Sequence, residues 1–84
     1  MRAVDLLERM RANPRADWTI ADVERLCRAC GLTITSPRSG SHYKIRDPQG
    51  GATLTIPARR PIKPVYIREL VALADRFRDS KDGQ

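Results

Sequence analysis

Three short alternating segments in the middle of the chain constrain its fold most tightly. LTITS at 32–36, HYKIRD at 42–47 and ATLTI at 52–56 alternate between apolar and polar residues. That period of two is what a strand with one buried and one wetted face requires. Parity then assigns the side chains. Leu32, Ile34, Tyr43, Ile45, Ala52, Leu54 and Ile56 fall on one face, and His42, Lys44, Arg46, Thr53 and Thr55 on the other. A slip of one residue would invert the whole set, so the hydrophobic pattern specifies the register. PQGG at 48–51 is rich in turn formers and reads as the hairpin connection between the second and third strands.

The flanking segments have helical spacing. Residues 2–12 read as a first helix with Val4, Leu7 and Met10 on one face, and NPRAD at 13–17 breaks it. A second helix starts after Thr19, whose hydroxyl and the Asp22 carboxylate approximate a capping box, with Trp18 able to staple onto Val23. Its apolar stripe is Ile20, Val23, Leu26, Cys27 and Cys30, and Gly31 is placed to end it. PARRPIKP at 57–64 is a stiff basic connection. A last helix over 65–78 follows, striped by Ile67, Leu70, Val71, Ala74 and Phe77, and residues 79–84 read as a fraying tail. The expected fold is a single α+β domain over 1–84, in the order α-α-β-β-β-α. Its three-stranded antiparallel sheet is covered on one face by helices, with residues 1–18 as an N-terminal helical extension to a core at 19–78.

Charge narrows the function. The chain carries a formal net charge of +6, and residues 36–68 hold all of it. Seven basic residues lie there (Arg38, Lys44, Arg46, Arg59, Arg60, Lys63 and Arg68) against Asp47 alone, while the rest of the chain balances. A localised positive field suits a polyanion such as nucleic acid, because phosphate contacts release counterions. No apolar run is long enough to span a membrane, and the charged N-terminus does not read as a signal peptide, so a cytoplasmic protein is expected. Cys27 and Cys30 form a C-x-x-C, but at the end of a helix, where the dipole does not favour a thiolate. Zinc would need a second pair of soft ligands, and only His42 is on offer. The two cysteines continue the apolar stripe and read as core residues.

The wetted face carries His42, Lys44 and Arg46 in one row, flanked by Arg38, Arg59 and Arg60. RNA cleavage by transphosphorylation needs few parts. A base takes the ribose 2′-hydroxyl proton, cations stabilise the crowded phosphorane, and an acid protonates the leaving oxygen. Histidine as a residue type has an unperturbed pKa of ~6.5 and suits either proton-transfer role, and His42 is the candidate here. The second group stays open between Tyr43, Lys44, a water and a substrate oxygen, with Tyr43 on the wrong face by parity. Clustered carboxylates for a metal and glycine-rich loops for a nucleotide cofactor are lacking, so no metal and no cofactor are expected.

The stretch GSHYKIRDPQGGATLTIPARRPIKPVYIRELVALA, from Gly40 to Ala74, resembles the HicA toxins of bacterial type II toxin–antitoxin systems. Those proteins share a Gly-Ser-His-x-Lys stretch, a hairpin whose second strand ends in proline, a basic connection and a closing helix. The resemblance covers roughly residues 19–78. It implies a fold like the double-stranded RNA-binding domain, metal-independent endoribonuclease action on mRNA, and a HicB-type antitoxin covering the active face. It also implies that His42 is the catalytic histidine, preceded by the matching Gly40 and Ser41. The family often shows a second histidine where this chain has Arg59 and Arg60, and commonly a Gly-Thr pair where this chain has Val65 and Tyr66. The expected RNA-contact set is Gly40, Ser41, Lys44, Arg46, Arg38, Arg59, Arg60 and Lys63. The rival readings are a non-catalytic RNA-binding domain and a module whose basic face meets an acidic protein.

Overall fold

A computed structural model describes residues 3–82, so Arg2 of the expected first helix and Gly83 and Gln84 of the expected tail lie outside the described residues. The element order is α1 (Ala3–Ala12), α2 (Ile20–Cys30), β1 (Thr33–Thr35), β2 (His42–Arg46), β3 (Thr53–Pro57) and α3 (Pro64–Asp82). The strands form one antiparallel sheet in the order β1-β2-β3. This is the α+β fold and the α-α-β-β-β-α order that alternation and helical spacing predict.

The register follows the apolar residues. Ile45 pairs with Ile34 on one side and Leu54 on the other, and Tyr43 pairs with Ile56. Ile45, Leu54 and Ile56 are buried and Ile34 packs against them, which makes this the face toward the helices. Ala52 departs from the expectation. It precedes β3 and is exposed, because the turn closes there, with the Asp47 N–H donating to the Ala52 carbonyl at 3.4 Å.

Helix α2 begins as its capping residues dictate. The Asp22 N–H donates to the Thr19 hydroxyl at 3.3 Å, and the Thr19 N–H donates to the Asp22 carboxylate at 2.9 Å. It ends at Gly31, whose φ of 91° is left-handed, and whose N–H closes on the Cys27 carbonyl. A side chain at Gly31 would also meet the Phe77 ring, 3.3 Å from where its Cβ would stand. Helix α3 starts at Pro64 and runs to Asp82, past the expected end at 78, so Asp79, Ser80, Lys81 and Asp82 belong to it. The whole expected stripe of α3 is buried, joined by Leu73.

Helix α1 packs on α3 and α2. Its buried face is Leu6, Leu7 and Met10, whereas Val4 is 41% exposed. At 100° per residue the three long side chains span one arc of the helix, and Val4 falls outside it. These residues and Trp18 belong to the same buried cluster as Ile45 and Leu70, so the N-terminal segment is built into the core. Arg11 locks the packing from outside with two 2.8 Å hydrogen bonds to the Asp75 carboxylate.

Two outcomes follow. Leu7→Ala, at a site only 1% exposed, should cost about 2–5 kcal/mol in urea unfolding. A loss below about 1 kcal/mol would mean that α1 does not pack as described. The second concerns acid. Hydrogen bonds from Arg11 hold the Asp75 carboxyl below its ordinary range. A depressed folded-state pKa contributes stability above the unfolded value and loses it as pH falls through the folded one. Asp75→Asn should therefore lower stability at pH 7, by less than about 1 kcal/mol because solvent screens the pair. That deficit should close as pH drops below the ordinary value of 3.8.

Candidate functional site

The sheet face away from the helices is open. His42, Lys44 and Arg46 lie exposed down the central strand β2, in the row that parity predicts. Lys44 sits between Thr35 and Thr55, Arg46 between Thr33 and Thr53, and His42 beside Pro57 alone, since β1 stops at Thr35. His42 thus stands where the sheet opens at one end.

The chain entering β2 turns at Gly40, whose φ of 82° favours glycine and beside which the space is clear. Just beyond it, the Ser41 carbonyl accepts a 2.7 Å hydrogen bond from the Ala58 N–H. This bond draws the start of the basic connection alongside His42. The connection is pinned again at Ile62, which is buried and whose N–H donates at 2.8 Å to the Trp18 carbonyl. Helix α3 then starts two residues later, at Pro64.

Two hollows flank His42. The larger, about 350 Å³, is lined by Ser41, His42, Pro57, Arg59, Lys63 and Tyr66. The smaller, about 220 Å³, is lined by Thr35, Ser36, Pro37, His42 and Lys44. Neither wall includes a carboxylate. Among the described residues, no acidic side chain lies within ion-pair distance of Lys44, Arg59 or Lys63, whereas Arg11 pairs with Glu8 and Asp75, Arg25 with Asp22, and Arg60 with Asp17.

The structure therefore divides the expected contact set. Ser41, His42, Lys44, Arg59 and Lys63 line the two hollows. Arg46 lies further along the same open face. Arg38 and Gly40 are exposed in the loop before β2 and line neither hollow. Arg60 turns the other way and grips Asp17 at 2.9 Å, on the turn between α1 and α2. That pair holds the Asp17 carboxyl below its ordinary range. Tyr66 is the aromatic lining residue that the expected set lacked. Its place in the first turn of α3 offered no periodic signal, because the hollow it lines is assembled from three separate segments.

The other sequence candidates lie elsewhere. Cys27 is buried and Cys30 half-buried, both as free thiols. Burial pushes the Cys27 thiol up to about 12, and Cys30 upward as well. Among the described residues no group of three or more His, Cys, Asp or Glu side chains is arranged to hold a metal, and no helix is long and apolar enough to cross a membrane. Comparison with protein-family models, curated proteins and solved structures returned no match for this chain.

At pH 8 the native protein should leave Cys27 unmodified by Ellman's reagent, with both thiols reacting once urea unfolds it. Rapid release of two equivalents from the folded protein would show that the pair is accessible after all. A thiol pKa raised by folding contributes stability below the unfolded value and loses it as pH climbs toward the folded one. Alkali should therefore weaken the fold between about 9 and about 12.

Proposed function

We propose that this protein is an RNA-cleaving toxin of the HicA type, working through His42 without a metal. One observation carries the reading. The imidazole stands exposed between two hollows that contain Lys44, Arg59 and Lys63 and no carboxylate. A phosphodiester is drawn to unneutralised cations, and a histidine at their centre is placed to move protons at the bound phosphate. The resemblance of Gly40 through Ala74 to the HicA toxins agrees with this placement.

In the proposed reaction, the His42 imidazole takes the proton of a ribose 2′-hydroxyl, and the 2′-oxygen attacks the adjacent phosphorus. Lys44, Arg59 and Lys63 hold the non-bridging oxygens as charge builds on them. The bond from phosphorus to the 5′-oxygen breaks, and that oxygen leaves with a proton. The products are a 2′,3′-cyclic phosphate and a 5′-hydroxyl. Lys63, Tyr66 and water are the proton sources at the larger hollow. The substrate is mRNA in the cytoplasm, and a HicB-type antitoxin neutralises the toxin by covering the open face.

The test uses purified protein, a single-stranded RNA oligonucleotide and EDTA, with His42→Ala confirmed folded by circular dichroism. Wild type should leave 2′,3′-cyclic phosphate ends, and His42→Ala should cut about 10²–10⁴-fold more slowly. RNA binding by both proteins with cleavage by neither would refute the enzyme and leave a non-catalytic RNA-binding domain.

A further inference from the structure

We propose that the larger hollow seats one unpaired nucleobase on the ring of Tyr66, so that this protein engages single-stranded RNA and rejects the duplex. The inference rests on the RNA reading above and deepens it. It starts from an asymmetry between the two hollows that share His42. The smaller offers the hydroxyls of Thr35 and Ser36, the Pro37 ring and the Lys44 ammonium. The larger offers an aromatic ring, the Pro57 ring and two cations, Arg59 and Lys63.

That second combination has a chemical meaning. A nucleotide presents a flat apolar face and an anionic phosphate, and Tyr66 with Pro57 suits the first while Arg59 with Lys63 suits the second. Base–aromatic stacking tolerates any base, because each has a π-face, and it needs the base unstacked from its neighbours. A volume of about 350 Å³ lies at the lower end of the range for small-ligand sites and leaves room for a base. Tyr66 is half-buried and packs against the core, so its ring is held in place before RNA arrives. The Ser41–Ala58 and Ile62–Trp18 hydrogen bonds fix the two ends of the connection that bears Arg59.

The arrangement also orients the strand. With the base in the larger hollow and the next nucleotide over Thr35, Ser36 and Lys44, the phosphate between them lies at His42. A paired base could not enter without first leaving its helix. Specificity for single strands then comes from the entry requirement, independently of sequence.

The experiment measures binding by fluorescence anisotropy at one fixed salt concentration, using 2′-fluoro RNA, which lacks the attacking hydroxyl. Wild type, Tyr66→Phe and Tyr66→Leu are each tested against a single strand, its blunt duplex and a series with one abasic position. Wild type and Tyr66→Phe should prefer the single strand by at least about tenfold, and Tyr66→Leu should lose about tenfold for it while its duplex affinity stays the same. One abasic position should cost wild type about tenfold and Tyr66→Leu nothing. Equal affinity for strand and duplex, Tyr66→Phe as weak as Tyr66→Leu, or an abasic penalty the same in wild type and Tyr66→Leu would each overturn the proposal. Should Tyr66→Leu fail to fold, wild type and Tyr66→Phe decide it: an abasic scan with no preferred position refutes the seat. Binding that follows the expected pattern with no cleavage of the all-ribose strand would support the base seat and refute the ribonuclease.

Discussion

Everything on the open face depends on Ile45. It has no exposed surface, lies at the centre of the middle strand, and pairs with Ile34 and Leu54 on the two sides. Burying a side chain of that size is worth about 1.5–3 kcal/mol, and a one-residue slip would bring Lys44 or Arg46 into its place, at a far larger desolvation cost. The strand has one acceptable register. Because strand side chains alternate, fixing Ile45 inward fixes Lys44 and Arg46 outward beside it, and His42 two steps beyond Lys44. The apolar half of β2 thereby aims its cationic half.

The far wall depends on a second anchor. The connection from Ala58 to Lys63 has no regular structure, yet it carries Arg59 and Lys63 to the hollow. Buried Ile62 holds it, its N–H satisfied by the Trp18 carbonyl. Trp18 in turn is fixed by burial and by a 2.8 Å hydrogen bond from its indole Nε1 to the Asn13 carbonyl. The N-terminal segment thus supports the proposed site without lining it. Arg60 shows the same division within two adjacent residues, since it serves the turn at Asp17 while Arg59 serves the hollow.

What the sequence made legible was what local periodicity encodes. The hairpin, the capped start of α2, the stripe of α3 and the outward row of His42, Lys44 and Arg46 all depend on residues close together in the chain. In α1 the periodicity was ambiguous. Val4, Leu7 and Met10 share a loose face, but Leu6 competes, and α2 and α3 bury the side holding three large side chains. Ala52 failed because alternation was extended one step into a turn. Tyr66 and Arg60 were beyond reach for a different reason. Whether a side chain at 60 or 66 meets His42 depends on where the connection is pinned, and that is set by Trp18, more than 40 residues earlier.

The distribution of charge partners joins these points. Arg11 and Arg60 each take a carboxylate from a distant segment and act as clasps, one between α1 and α3, the other between the connection and the turn before α2. Among the described residues, Lys44, Arg59 and Lys63 find no such partner. Like charges on one surface repel, and burial at Ile45 and Ile62 fixes the segments that carry these three. An anionic ligand relieves that repulsion at once. Under the proposed function, the same cations would favour a complex with a phosphodiester, or with an acidic partner that covers the face in its place.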